Sequence, residues 1–295
     1  MTSSITLRPI EQIAVTRLGE DLFATGEFDT NVSVWSVAAR SCVTRLATIL
    51  DFGGERLAIT SSRSPIVATG SWTRGINAYE CSVGKRIWSR FQIRNVQQVC
   101  DLSEPSNPRL GVVTEGGFFR VLDGLTGETK LKIGYFERVF PSNFGDLYLG
   151  ISGQHVQLAS LNDAAPMWKR KLESFAVLHA AFSTNLVTYA EAAGSVHCCD
   201  FSGREVWKVV PASGEHVRSL AWNPESRKWL ALSHRYESGS TEFQLFEIDE
   251  SGDFRSTITV EAGSDAKFFS SGRYIVTAAG SVIYAISGST VWRFW

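Results

Sequence analysis

The chain lacks a charge excess, a long apolar run and paired cysteines, and each deficit removes a class of function. Twenty-nine Lys and Arg offset thirty Asp and Glu to leave a formal charge of −1. With no basic run either, nothing draws the chain to phosphate backbones or anionic lipid, so no nucleic-acid partner is expected. No apolar stretch approaches the roughly 18 residues of a membrane span. The start, Met1 to Pro9, carries neither the basic nor the apolar segment of an export signal. No membrane partner is expected, and the expected location is the cytoplasm. Cys42, Cys81, Cys100, Cys198 and Cys199 are odd in number and have no paired spacing, the pattern of reduced, mostly buried thiols.

Catalytic signatures are missing too. There is no Gly-x-Ser-x-Gly elbow, phosphate-binding loop or His-Glu-x-x-His pair, and Gly111, Gly116 and Gly117 form no dinucleotide fingerprint. His197, Cys198, Cys199 and Asp200 are four metal-ligating types in a row. Consecutive strand residues alternate faces, however, so they do not converge as zinc ligands do. No metal, cofactor or catalytic residue is assigned.

What is present is a repeat of about 40 residues through the whole chain. Seven short strands align at their ends on Trp35, Tyr79, Leu122, Ala159, Cys199, Phe246 and Ala285, and the next residue is polar in six of the seven copies. A turn follows, then in several copies a Gly and a Trp: Gly84-Lys-Arg-Ile-Trp88, Gly203-Arg-Glu-Val-Trp207 and Gly288-Ser-Thr-Val-Trp292, with Ala164 to Trp168 and Gly127 to Leu131 as variants. Glycine supplies the positive φ of a tight turn, and the ring fills the wedge that widens between neighbouring blades. Upstream segments such as Leu22–Gly26, Ile66–Gly70, Leu110–Thr114, Leu186–Ala190 and Tyr274–Ala278 have the β-branched and small residues of strands packed on both faces. First strands are expected near 12–17, 56–60, 97–102, 138–141, 177–182, 217–222 and 266–270. No segment keeps a 3.6-residue apolar period over three turns, so helices are excluded.

The expectation is an all-β, seven-bladed propeller of four-stranded antiparallel blades, one domain over 1–295, with Ile5–Leu7 pairing onto the last blade to close the ring. Asp29-Thr-Asn-Val-Ser-Val-Trp35 resembles the WD40 segment with Asp before the third strand and Trp at its end, although Arg8, Pro9 and Glu11 stand where that family has its companion His. The Gly-x-x-(Ile/Val)-Trp turns resemble the tryptophan-docking repeats of quinoprotein-like propellers. Those resemblances imply fold, not chemistry. Exported, calcium-dependent quinone dehydrogenases of that kind carry adjacent cysteines, but Cys198 and Cys199 have no acidic cluster beside them.

Propellers bind through the loops before each first strand and the turns joining second to third strands. Here those positions offer Asp51, Phe52, Tyr135, Glu137 and His216 from the former, and Trp72, Arg74, Arg235, Tyr236 and Glu237 from the latter. Trp, Tyr and Arg are the residues interface hot spots favour. Acidic residues slightly outnumber basic ones on this face, which suits a protein partner with a basic surface. The reading is therefore a non-catalytic protein-interaction module, either an assembly subunit or a bacterial inhibitor or immunity protein. An enzyme of the hydrolase or lyase kind with its site in the central channel is the alternative, and a glycan or small-ligand binder stacking on Trp72 is the third.

Overall fold

The computed structural model describes residues 10–17, 22–27, 31–48, 55–143, 146–163, 165–210, 215–237, 240–261, 265–268, 275–279, 282–287 and 290–293, with side chains to Arg255 except at 215 and 234–243. These residues form seven four-stranded antiparallel sheets, each built from four consecutive strands. The inner strands are Ile10–Val15, Leu57–Ile59, Val96–Asp101, Arg138–Pro141, Val177–Phe182, Glu215–Asn223 and Asp265–Phe268. Each adjoins the next, and the seventh adjoins the first, so the blades form a closed ring around a central channel.

Blades four and five begin where the sequence places them, and the third strands reach their aligned end residues and run one or two residues past them. The inner strand of blade one starts at Ile10 rather than Gln12, because a bulge between Ile10 and Gln12 shifts its pairing with the second strand. The third strand of blade six, Ser240–Ile248, runs two residues past Phe246. A slip of two leaves the in-and-out alternation intact, so hydrophobic patterning could not register it. The segment Ile5–Leu7 lies outside the described residues; the last blade draws all four of its strands from 265–293.

Cores lie between blades. Leu149, Val156 and Leu158 of blade four pack with Val177, Val187, Tyr189 and Cys199 of blade five, whereas Cys198 faces Trp207, Trp229 and Phe246 toward blade six. The adjacent cysteines thus point to opposite faces. Outer-strand tryptophans of blades two, four and five lock their blade to the turn of the following one. A Cβ on Gly127 of blade three would stand 2.7 Å from the Trp88 ring of blade two, and Trp88 Nε1 donates to the Gly124 carbonyl at 2.7 Å. Gly203 meets Trp168, and Gly252 meets Trp207, in the same way. The Gly and Trp of the repeat are therefore partners across blades, not within one.

In several blades the turn after the third strand is capped by a polar residue at or near the position the repeat supplies. Asp123 Oδ1 accepts from the Leu125 and Thr126 amides, and Asp200 Oδ1 from those of Ser202 and Arg204. In blade six the cap is Asp249, two residues beyond Glu247, in keeping with the longer strand. The Asp200 carboxyl is held below the usual carboxylate range by the Ser202 hydroxyl, and Asp249 by that of Ser251.

Candidate functional site

Two regions carry the functional expectations: the channel, and the face that holds the pre-strand loops and the second-to-third turns. The channel is a cavity of ≈ 570 Å³ lined by inner-strand residues of six blades, among them Glu11, Arg17, Glu55, Asp101, Arg138 and His179. Most of its ionisable groups are bound to the walls. Arg138 pairs with Glu55 at 2.9 Å and also donates to the Val177 and Leu178 carbonyls. Gln98 donates to Glu55 at 3.0 Å. At the other end, Arg17 of blade one spans the channel and donates to the Ser103 and Ser142 carbonyls of blades three and four, with Asp101 at 3.9 Å. Asp101 in turn accepts from the Ser61 and Ser103 amides. Burial pulls the Arg17 guanidinium below its ordinary value while the Asp101 carboxylate opposes the shift. The channel is polar, but Arg17, Glu55, Asp101 and Arg138 are used as cross-ties between blades.

A recurring device sits at the channel wall. Gln12, Gln98 and His179 are each the third residue of their inner strand, just after a bulge. Each accepts a hydrogen bond from an inner-strand or adjoining amide of the next blade: Arg56 at 2.9 Å, Val139 at 2.8 Å and Leu220 at 3.2 Å respectively. The bulge turns one extra side chain sideways, onto the neighbouring blade's unpaired edge, and so satisfies groups that an inner strand would otherwise leave open. The spacing gave no hint of it.

In blade five, His197 lies between two carboxylates and a hydroxyl: Nδ1 is 3.0 Å from Glu205, and Nε2 is 3.2 Å from Ser195 Oγ and 3.5 Å from Glu191. A Ser–His–carboxylate line of this kind is the outline of a hydrolytic relay. Here Ser195 is only 5 % exposed, and Glu191 is occupied by the Glu173 and Ser174 amides. The imidazole also stacks on Tyr189 at 5.0 Å. This network holds the blade-five turn in place, and its hydroxyl and imidazole are both buried. Burial alone would raise the Glu205 carboxyl, but the hydrogen bond from His197 and the Arg170 guanidinium hold it below its ordinary value. Its neighbours in sequence disperse: Cys198 and Cys199 to opposite cores, Asp200 to its turn.

On the face, Trp72 stands in the turn Ser71–Gly75, 37 % exposed, its ring 5.5 Å from the Arg56 guanidinium. Arg74 beside it is exposed. The Trp72 carbonyl accepts from Asn95, whose own carbonyl accepts from Glu115, and the Gly117 carbonyl accepts from Phe136. These bonds join the loops of blades two, three and four into one surface. Tyr135 closes the outer strand of blade three rather than lying in a loop; it pairs with Phe118, and its ring covers Gly117. Glu137 accepts from the Gly153 amide at 3.2 Å, and His216 is half-buried.

Arg235, Tyr236 and Glu237 are strand residues, not loop residues. Tyr236 pairs with Thr241 and Glu237 with Ser240, so the long copy in blade six is an extended hairpin. At 3.3 Å per residue, its extra three or so residues carry the hairpin about 10 Å further than its neighbours. Asp51 and Phe52 lie outside the described residues.

Sequence reasoning missed Phe91, 59 % exposed, and Phe118, 58 % exposed. For Phe118 alternation gave no signal, because both faces of a third strand meet a core; its place at the start of the strand leaves its ring exposed. Of the acids on blades two to four of this face, Glu55 is neutralised by Arg138, whereas Glu115 accepts from the neutral Asn95 Nδ2 at 2.9 Å and keeps its charge.

Seven blades, inter-blade tryptophan docking and a Trp35 Nε1 to Thr25 Oγ1 bond of 2.9 Å in the blade that carries the Asp-to-Trp segment specify the architecture. The chain folds as a WD40-like β-propeller. A family model for the anaphase-promoting complex subunit 4 WD40 domain matches residues 181–277 of the propeller. Its structure is similar to a chain of the Mitotic Checkpoint Complex at TM-score 0.67 and 16 % identity, covering 100 % of this chain and 96 % of that one. It is also similar to the Myceliophteria thermophila Cps50 (Swd1) β-propeller domain at TM-score 0.72 and 12 % identity, over 98 % and 99 %. A third likeness is to U3-55K, at TM-score 0.71 and 14 % identity, over 94 % and 90 %. No curated protein matches by sequence. WD40 propellers generally serve as protein-binding scaffolds, and among the described residues no helix is long and apolar enough to cross a membrane.

Proposed function

We propose that this propeller is a non-catalytic interaction module that engages a protein partner through the face bearing Trp72, Arg74, Tyr135, Glu137 and His216, together with the blade-six hairpin. The observation that carries this reading is the row of exposed rings on that face: Trp72, Phe91, Phe118 and Tyr135. Large rings left in water on a rigid scaffold mark interaction sites, and Trp, Tyr and Arg dominate interface hot spots. The channel offers less to a catalytic reading, since its ion pairs are consumed as ties between blades.

Of the two forms this role can take, assembly subunit or bacterial inhibitor and immunity protein, the first draws support from the fold's company. One similar chain belongs to a complex, and the matching family model describes a complex subunit. A cytoplasmic setting goes with the reading and is supported by five free cysteines. A partner with a basic surface would be met mainly by acids outside blades two to four, because Glu55 is already paired with Arg138 and Glu115 stands beside arginines.

The test is cross-linking mass spectrometry on the affinity-purified native complex. The expected result is a stoichiometric partner cross-linked near residues 72–74, 91–95, 115–118 and 135–137. Recovery of no stoichiometric partner, or cross-links confined to the opposite face, overturns the proposal.

A further inference from the structure

The lip between blades two and three has a composition of its own. Gly75 has φ +76°, and a Cβ there would collide with the Arg90 carbonyl and stand 2.8 Å from Phe91 Cα. The glycine thus lets the chain carrying Phe91 and Arg94 lie against the turn carrying Trp72 and Arg74. Phe118 is on the same face of its strand as Leu122, which packs into the blade-two side of the core. Its exposed ring therefore borders the same groove. Arg120 lies over the Phe118 ring at 5.6 Å and donates to Thr114 Oγ1.

Charge on this lip is predominantly positive. Arg74 and Arg94 are both exposed, and neither has an ion-pair partner among the described residues. Between them and blade four stands one acid, Glu115, which keeps its charge while accepting from the Asn95 side-chain amide. Three exposed rings with two unneutralised guanidinium groups suit a ligand with apolar side chains and carboxylates in short succession. A nucleic acid also offers rings and anions, but two arginines on a chain of net charge −1 are few to track a phosphate backbone.

We propose that this lip takes an acidic linear segment of a partner protein, with an apolar side chain held among Trp72, Phe91 and Phe118 and flanking carboxylates paired with Arg74 and Arg94. The inference rests on the interaction reading above and names the chemistry of the partner. Flanking loops are already hydrogen-bonded to one another, so the surface is preformed and little ordering opposes binding.

The experiment is fluorescence anisotropy on the full chain with a short labelled peptide carrying aspartates and glutamates around one phenylalanine. The comparison probes are the same peptide with its acids replaced by lysine, the same peptide with its phenylalanine replaced by alanine, and a uridine-rich RNA single strand. Saturable binding of the acidic peptide alone is expected, weakening with salt. Arg74→Glu with Arg94→Glu, and separately Phe91→Ala, should each weaken it by about tenfold or more, with unchanged thermal melts. All three residues are exposed and outside the inter-blade cores, so the fold has no need of them. Equal or tighter binding of the lysine peptide or of RNA, or binding indifferent to these variants, overturns the proposal. So does absence of saturable binding. If the peptide fails while the native partner still cross-links to residues 72–74 and 91–95, only the acidic-segment inference falls. Cross-links to the opposite face remove the face itself.

Discussion

Arg17 and Trp88 show how single side chains join blades distant in sequence. Arg17 reaches the Ser142 carbonyl across 125 residues of chain, buried beside Asp101. Arg17→Met would keep the length of the side chain and remove its charge, leaving two carbonyls without a donor and Asp101 without its cation. Breaking a buried ion pair from one side costs about 3–5 kcal/mol. Because Asp101 keeps its bonds to Ser61 and Ser103, the expected loss lies at the lower end, read as a fall in the urea midpoint. Trp88→Ala empties the wedge that Gly127 closes and should cost about 3–5 kcal/mol in the same measurement. The thiols report burial directly. Burial pushes Cys81, Cys100 and Cys198 up to about 12 and Cys199 to about 11. These folded values lie above those of the unfolded chain, so the stability they carry is complete below pH about 9 and is lost as pH rises toward 12. The urea midpoint should therefore fall on going from pH 8 to pH 10.5, and Cys198→Ala should flatten the fall. A midpoint independent of alkaline pH would contradict the buried placement.

Three inner strands are short, three residues in blade two and four in blades four and seven, so their own ladders supply few bonds. For blades two and four, the bulge and acceptor side chain of the preceding blade add one. Gln98 both accepts from the Val139 amide and donates to the Val139 carbonyl at 3.0 Å. Gln98→Leu would fit the volume and orphan both backbone groups, at about 1–3 kcal/mol. The Val139 amide should then exchange with deuterium faster than its neighbours, whereas unchanged protection would show that the bond carries no weight. The blade-six hairpin is the opposite case, an element added beyond the blade's own packing. Shortening 235–241 to a two-residue turn should leave the thermal midpoint nearly unchanged while weakening capture of the native partner. A large loss of stability would instead make the hairpin part of the core.

The ring as a whole has no free edge blade, because the seventh inner strand adjoins both the first and the sixth. Removing residues 265–293 would expose the facing sides of blades one and six together, so the truncated chain should lose cooperative unfolding rather than merely melt lower. A sharp transition retained by the truncation would show that closure is dispensable. At this scale much was legible in the chain. A strand has a period of two and a blade a period of about 40, and these local regularities, with Gly and Trp at set offsets, determined the class, the number of blades and the strand order before any contact was seen. The sequence could not say that each Gly serves the preceding blade's Trp, that Arg17 crosses the channel, or that Phe91 and Phe118 come to the same lip as Trp72. Those relations hold between residues from about 20 to more than 100 positions apart, and local spacing carries no information about them. Only the closing of the ring brought them together, and with them the charge and the rings that a partner would meet.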